Sequence, residues 1–549
     1  MKKKQSLKKL LTLIFSMVII LSAVLLPVGS KNIASANNAI NVNIDMGNVI
    51  KDIDPMAYGL NATGLFIPSF TANEDYLENV KYLGGNGLIR MHSWSMVDNG
   101  LSVASWVNSD MSWNAAKIAT TLAPVSGRYN IMINIPLGPD GALGSSNFEA
   151  WKTNFANWAA ELVEIVNINN HFGVKYWEVP NEQEITFNNT GLNSSQMAQL
   201  LTAASRAMKA IDPTIKFGGP ATADIEQNYN LLLDTVRNSY NDIDFLSFHT
   251  YSGSGIDPSR MQTDSGAYDH AMRQGQATKQ FREDLDALNL GKYIPIYLDE
   301  YNISWDHDER MHGNKENVYD ALIVAGLIGG SADIVNFWHA EGSYMGLMND
   351  QNQLYSNSSM HYLFNRYFEG QVVSAQSADD TKIVAYATKD TNRKSLLIIN
   401  RTASEQTVKP NLTGWAPDNL DMYQFAGSGS TGPTFINWAS VSAAGITVPD
   451  NSVTILTAGS SPNMISGIKY KLTAKISGKA LSIDGASTAD GANVSQDAFN
   501  SAAAQKWFIE DAGDDSYKII NANSGKYLSV DASGQNVVQQ VYSAGLFSR

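Results

Sequence analysis

Two glutamates, Glu182 and Glu300, close short strand-like runs 118 residues apart. The first run is Lys175-Tyr176-Trp177-Glu178-Val179-Pro180-Asn181-Glu182, aromatic and β-branched until a proline gives way to a polar Asn-Glu pair. The second is Ile294-Pro295-Ile296-Tyr297-Leu298-Asp299-Glu300. A strand ending in a carboxylate is one way for a parallel barrel to present an acid at its catalytic rim. Two carboxylates flanking a glycosidic bond can cleave it, one protonating the leaving oxygen while the other attacks the anomeric carbon. A gap of about 5 Å gives a covalent intermediate and retention; a wider one admits water and gives inversion. The acid must keep its proton at working pH, and partial burial and a neighbouring like charge both raise its pKa. For Glu182 the expected like charge is Glu300.

The elements that would position such a pair are legible. Eight apolar runs lie at 55–60, 87–91, 130–135, 174–179, 216–219, 245–248, 294–298 and 334–338. Between them are amphipathic stretches such as 154–168, Ser194–Ile211, 274–290 and 315–328, apolar at three-to-four spacing. This alternation predicts a (β/α)8 TIM barrel over 37–368, an α/β fold, with Glu182 ending the fourth strand and Glu300 the seventh, facing each other across the mouth. A doubly wound sheet would carry a glycine-rich phosphate turn after its first strand, and Tyr58-Gly59-Leu60-Asn61 is not one. After Gly370 helical periodicity stops. Short strands separated by Gly, Asp, Asn and Ser predict an all-β sandwich over 369–460, joined by residues 40–50 from before the barrel. Ser460-Ser461-Pro462-Asn463 reads as a linker. Beyond it Tyr470-Lys471-Leu472 recurs as Tyr517-Lys518-Ile519, and Leu481-Ser482-Ile483-Asp484 as Leu528-Ser529-Val530-Asp531, a tandem repeat with a period of 47.

At 549 residues, 44% hydrophobic, the chain is long enough for two or three domains with sizeable cores. Residues 1–36 read as a secretory signal. Lys2, Lys3, Lys4, Lys8 and Lys9 form a basic head, 10–26 an apolar run, and Ala34-Ser35-Ala36 a cleavage site. A secreted, extracellular protein is therefore expected. Its removal takes six lysines and no acids, shifting the net charge from −14 to −20. So acidic a surface repels phosphate backbones and anionic lipid, which argues against nucleic acid and membrane partners. The absence of cysteine rules out disulfides, thiolate metal sites and cysteine nucleophiles.

Taken together, Asn181-Glu182 and Glu300 resemble the retaining glycoside hydrolases of clan A. The resemblance implies Glu182 as acid/base and Glu300 as nucleophile. Gly218-Gly219-Pro220-Ala221 and Ser247-Phe248-His249-Thr250-Tyr251 are most similar to family 39, which includes β-xylosidases and α-L-iduronidases. The usual Trp-Asn-Glu-Pro wording is replaced here by Val179-Pro180-Asn181-Glu182-Gln183, which keeps the Asn-Glu core and alters the adjoining subsite. Over 464–549, Gln505-Lys506-Trp507 and the repeats resemble a ricin-type β-trefoil carbohydrate-binding module. A trefoil closes with three repeats, and the sequence stops inside the second, so a partial, truncated trefoil with unpaired strand edges is expected.

Supporting roles follow by position. Asn181 is placed to donate to the sugar 2-hydroxyl, His249 and Tyr251 to orient Glu300 and ring hydroxyls, and Arg90 to hold Glu300 ionised by opposite charge. Trp338 offers a flat face to a sugar ring and Glu341 a carboxylate to its hydroxyls. Each has a plainer reading: a core tryptophan or histidine, or an arginine that neutralises buried acids. The stretch Trp305-Asp306-His307-Asp308-Glu309-Arg310-Met311-His312 lacks His-x-x-x-His spacing and reads as a charged loop rimming the cleft, so no metal or cofactor is expected. The reading is a retaining glycosidase, β-xylosidase-like, acting on polysaccharides or oligosaccharides. The alternatives are a non-catalytic carbohydrate-binding protein, an α-L-arabinofuranosidase or endo-glycanase of the same clan, and a metal-dependent barrel hydrolase.

Overall fold

The computed structural model describes residues 39–92, 106–135, 147–182, 192–253, 263–342, 345–459 apart from 428, and 468–542 apart from 475, 514, 515 and 532. The expected signal over 1–36 and Gln183 lie outside them. The first strand, β1 (Ile40–Asp52), stands apart from the eight that follow. Those are β2 (Tyr58–Asn61), β3 (Leu88–Met91), β4 (Asn130–Asn134), β5 (Tyr176–Glu178), β6 (Lys216–Thr222), β7 (Phe245–Tyr251), β8 (Ile296–Asn302) and β9 (Ile334–Phe337). They close in that order into a parallel barrel, with Tyr58 of β2 opposite Val335 of β9. Every residue of β2, β3, β7, β8 and β9 is buried. Helices cover the outer face and side chains fill the inner one, so these strands read as unbroken apolar runs rather than alternating ones.

The wall is built from α1 (Glu74–Gly84), α2 (Ala115–Leu122), α3 (Phe148–Val163), α4 (Ser194–Ile211), α5 (Ile225–Ser239), α6 (Asp264–Ala287), α7 (Asn314–Leu327) and α8 (Ser358–Tyr367). Asn73, Asn114, Asn147, Asn193, Asp224 and Thr263 cap the first six, each side chain accepting from a backbone N–H of the first turn. Asn193 and Gln196 form a reciprocal capping box on α4. The caps place the starts of α3 and α6 several residues before the onset of clear periodicity at 154 and 274. None of the helices among the described residues is long and apolar enough to cross a membrane.

After the barrel come β10 (Gln371–Ser377), β11 (Ile383–Lys389), β12 (Arg393–Asn400), β13 (Gln406–Thr413), β14 (Asn419–Ala426), β15 (Gly429–Asn437), β16 (Ile446–Val448) and β17 (Ser452–Gly459). With β1 they form one nine-stranded sheet, ordered β15-β14-β17-β12-β11-β10-β1-β13-β16. The β1 strand is antiparallel to β10 and parallel to β13, as the pairing of the pre-barrel segment with this region predicts. The sheet serves two cores. Leu397 and Ile399 of β12 join the barrel's hydrophobic cluster, while their neighbours Leu396 and Ile398 join a separate one with Val42, Val408, Leu420 and Val448. Strands near opposite ends of the sheet share that second cluster, so the sandwich is a single sheet curled over its own interior.

The C-terminal segment holds β18 (Ala480–Ile483) paired with β19 (Val494–Asp497), and a four-stranded sheet of β20 (Trp507–Gly513), β21 (Ser516–Asn521), β22 (Tyr527–Val530) and β23 (Val537–Gln540). The Gln-x-Trp motif is structural here. Trp507 is the centre of a small core with Ile483, Val494 and Ala504, and its indole donates to the Leu481 carbonyl. Gln505, also buried, donates to the Ala498 carbonyl and accepts from the Asn500 N–H, so it folds the loop rather than facing solvent. Val530 and Val537, paired across β22 and β23, and Val541 and Tyr542 just beyond them present exposed apolar side chains. An ion pair between Lys469 and Glu78, 2.5 Å long, ties the start of this segment to α1.

One glycine governs where the Asn-Glu pair sits. Gly219 of β6 has φ of +146°, and a Cβ there would stand 1.9 Å from the Val179 carbonyl oxygen, just before the turn into Asn181 and Glu182. Gly219→Ala is expected to destabilise the protein by about 3 kcal/mol or more, seen as a lowered urea midpoint, with activity lost in parallel.

Candidate active site

Glu182 lies just beyond β5 at the barrel mouth. Its backbone adopts φ of +45°, a left-handed conformation uncommon for a residue with a side chain. The N–H is tied to the Ala221 carbonyl at 2.9 Å. Glu300 sits within β8, whose register against β7 shifts between Phe248 and His249 so that His249 pairs with Glu300. Carboxylate oxygens of Glu182 and Glu300 and a ring nitrogen of His249 all lie within 4.8 Å of one another. The two strand ends therefore do face each other across one small space.

Six of the residues singled out in the sequence converge here. Arg90, fully buried at the middle of β3, donates from Nη1 to Glu300 Oε1 at 2.6 Å and from Nη2 to Asn181 Oδ1 at 2.8 Å. Tyr251 donates to Glu300 Oε2 at 2.7 Å. His249 Nδ1 lies 2.7 Å from Glu182 Oε1 and 3.4 Å from Glu300 Oε2, so the histidine addresses Glu182 more closely than the Glu300 expected from the sequence. The Asn181 oxygen is committed to Arg90, which fixes the orientation of the amide. Trp338, half-buried, meets the His92 ring edge-on at 4.8 Å between centroids. Glu341 leaves the group: its Oε1 accepts from the Thr63 hydroxyl and the Gly64 N–H, and its Oε2 from the Tyr76 hydroxyl at 3.1 Å. Its two oxygens link the 63–66 turn to α1, a structural contact in place of the expected one with sugar hydroxyls.

Sequence reasoning missed a second layer. Glu178, Asp299, His92 and Asn61 are all buried around Arg90. Arg90 Nε is 2.6 Å from Glu178 Oε2 and 3.3 Å from Asp299 Oδ2, and Asn61 Oδ1 accepts from Nη1 at 3.1 Å. One guanidinium thus serves three carboxylates. Burial opposes the Arg90 charge, but the three acids outweigh it and hold the guanidinium protonated. Burial also works against an ionised Glu178, yet Arg90 pulls its pKa below the usual range. Asp299 goes the other way: burial and the adjoining Glu178 charge keep it protonated. Arg90→Met would leave this nest without its cation, a loss of about 4 kcal/mol at pH 7. The deficit is expected to shrink in urea titrations at pH 5, where the acids accept protons.

The facing glutamates differ in their surroundings. Burial pushes Glu182 up to about 7, with Arg90 pulling weakly against it; the expected like-charge effect of Glu300 is not what raises it. Burial also raises Glu300, while Arg90 and the Tyr251 hydroxyl act in the opposite direction, toward the ionised form. Each Glu300 oxygen takes a donor at 2.6–2.7 Å, an arrangement that favours its ionised form, whereas burial favours the protonated form of Glu182. His249, pushed down to about 4 by burial, is neutral beside them. The arrangement can protonate an oxygen and attack a carbon on either side of one bond.

The comparisons with known proteins agree with this geometry. Residues 144–369 match the family model described as Glycosyl hydrolases family 39, and residues 461–540 match Ricin-type beta-trefoil lectin domain-like. No curated protein matches the chain. Among solved structures, an alpha-L-arabinofuranosidase from Thermotoga maritima is 15% identical with a TM-score of 0.55, covering 77% of this chain and 100% of its own. A monomeric beta-xylosidase from Caulobacter crescentus is 16% identical with a TM-score of 0.52, covering 77% and 99%. A family 30 endoxylanase from Clostridium papyrosolvens is 14% identical with a TM-score of 0.55, covering 76% and 100%. At these identities the structures speak for the shared fold, while the family match spans β5 to β9 and both facing glutamates. The chain carries a glycosyl hydrolase family 39 domain in its barrel and a ricin-type lectin-like domain at its C-terminal end, and it is an O-glycosyl hydrolase.

Proposed function

We propose that the protein is a secreted retaining glycosidase that cleaves β-xylosidic linkages of polysaccharides or oligosaccharides by double displacement. The observation that carries this reading is the short gap, with Glu182 and Glu300 oxygens within 4.8 Å, too close to admit a water between carboxylate and sugar. In the first step a Glu300 oxygen bonds to the anomeric carbon as the bond to the leaving oxygen breaks, and that oxygen takes the Glu182 proton. In the second, Glu182, now a carboxylate, accepts a proton from a water whose oxygen bonds to the anomeric carbon and frees Glu300. Arg90 and Tyr251 hold Glu300 in one orientation through both steps.

The xylosidic preference rests on the family 39 match and on a beta-xylosidase among the similar folds. An arabinofuranosidase shares the fold equally, so the linkage is tested directly. Aryl β-xyloside is expected to be cleaved faster than aryl α-arabinofuranoside. NMR of a fresh digest of the preferred substrate is expected to show first the anomer that matches it. Initial appearance of the opposite anomer would refute double displacement. No release from any glycoside, with sugar binding retained, would leave a binding protein. Export is supported by the lysine-rich head and apolar run of residues 1–36 and is checked by finding mature protein beginning near 37 outside the producing cell.

A further inference from the structure

A second cluster of ligating side chains lies behind the wall of the site, where α5 and α6 meet β7. Asp224 Oδ2, Glu226 Oε2 and His270 Nε2 surround the Gln274 amide nitrogen at 3.3, 3.0 and 3.2 Å. The arrangement is oversubscribed: an amide NH2 has two hydrogens, and two carboxylate oxygens and an imidazole nitrogen stand within hydrogen-bond distance of it. Meanwhile Gln274 is completely buried and its Oε1 has no hydrogen-bond partner among the described residues. Amide oxygen and nitrogen exchange places by a half-turn of the side chain. Turned over, the orphaned oxygen joins the two carboxylate oxygens, and with His270 Nε2 in its unprotonated tautomer all four atoms call for a cation rather than a donor.

From this geometry we infer a structural divalent metal site formed by Asp224, Glu226, His270 and Gln274, suited to a zinc- or manganese-class ion. The atoms already stand where such ligands stand. A tetrahedral ion with bonds of about 2.0–2.2 Å sets its ligand atoms about 3.4 Å apart. Here the amide-to-ligand distances are 3.0–3.3 Å and Asp224 to His270 is 3.8 Å. The remaining polar atom of each ligand is anchored separately. Asp224 Oδ1 caps α5 through the Gln227 N–H, Glu226 Oε1 faces Arg273 at 3.5 Å, and His270 Nδ1 contacts the Tyr319 hydroxyl at 3.3 Å. Such outer partners fix the orientation of metal ligands. One imidazole with three oxygen donors and no thiolate favours zinc or manganese over softer ions. Asp224 and Glu226 come from the start of α5, His270 and Gln274 from one face of α6, so the ion pins two helices together. Thr250, between His249 and Tyr251 on β7, touches His270 Nε2 at 3.4 Å, which sets the pin directly against the strand that orients the glutamates.

The test uses the full chain, stripped with chelator, and zinc chloride as the probe. One equivalent is expected to bind and to raise the melting temperature. Glu226→Ala, at an exposed position, is expected to weaken binding at least about tenfold and to abolish the thermal gain. Glu182→Gln is expected to leave the binding unchanged, which separates this site from the trio of Glu182, His249 and Glu300, also close enough to hold an ion. Cobalt substitution of the unaltered chain needs no variant and is expected to give the visible absorption of a four-coordinate ion. Absence of binding at micromolar zinc, unaltered affinity in Glu226→Ala, or loss of binding in Glu182→Gln would each overturn the proposal and leave Gln274 as a hydrogen-bond hub. None of these readouts depends on glycosidase activity.

Discussion

Glu300→Ala abolishes turnover, with kcat expected to fall about 10⁵-fold or more, as when a member of a catalytic unit is removed. The size follows from the site. Among the described residues no other carboxylate takes the place of Glu300: Glu178 and Asp299 are buried against the Nε edge of Arg90, and Glu182 is the proton donor in the proposed reaction. Folding is not the cause of the loss, because the change relieves a buried acid beside two others. A circular dichroism melt is expected to show stability equal to or above that of the unaltered chain. Azide supplies the decisive readout. With Glu300 absent, azide bonds directly to the anomeric carbon of an activated aryl glycoside, and the glycosyl azide formed has the inverted configuration. Recovery of a retained azide, or of activity within tenfold of the original, would show that another group is the nucleophile.

Glu182→Gln separates the two halves of the reaction. For substrates with poor leaving groups, kcat/KM is expected to drop about 10²–10⁴-fold, the range for loss of a general acid. For aryl glycosides whose leaving oxygen needs no proton, bond cleavage is largely spared. The pH profile carries the same assignment. Burial holds Glu182 up to about 7, so the protonated form needed for the first step disappears as pH rises through that value. The alkaline limb near pH 7 is expected in the unaltered enzyme and absent in the variant. Stability moves in the opposite sense. The folded chain binds this proton more tightly than the unfolded chain, whose glutamate titrates near 4.5. The contribution is therefore complete below pH 4.5 and lost as pH climbs through 7. With partial exposure taken into account, Glu182→Gln is expected to be about 2 kcal/mol more stable than the parent at pH 8 and no more stable at pH 4. An unchanged alkaline limb in the variant would sink the assignment.

Much of this arrangement could be read from the residues. The eight barrel strands appear as apolar runs because both of their faces are covered, and the facing glutamates follow from counting strand ends. The inner ring of acids could not be read this way. Asp299 and Glu300 are adjacent, and strict alternation would send them to opposite faces of β8. The register of β8 slips against both neighbours around these residues, between Phe248 and His249 on one side and between Leu298 and Tyr301 on the other. Such a bulge re-aims side chains, and it brings both acids to Arg90. Glu341 failed for a different reason. Its partners at Thr63, Gly64 and Tyr76 are more than 260 positions away, and local sequence carries no sign of them. The Gln-x-Trp motif was legible as a marker of the lectin-like domain, while its role as that domain's folding centre emerged from burial.

The position of β1 bears on how the molecule comes into being. This strand, the first among the described residues, is gripped on one side by β10 and on the other by β13, partners synthesised more than 300 residues later. Until the ribosome has delivered them, residues 40–52 lack the sheet in which they settle, and without β1 that sheet would be split between β10 and β13. Assembly is thus a late event sewn together from both ends of the catalytic portion, with the slow kinetics that long-range pairing brings. Fragments cut at the barrel's borders inherit an open seam, because a chain without residues 40–52 exposes the facing edges of β10 and β13.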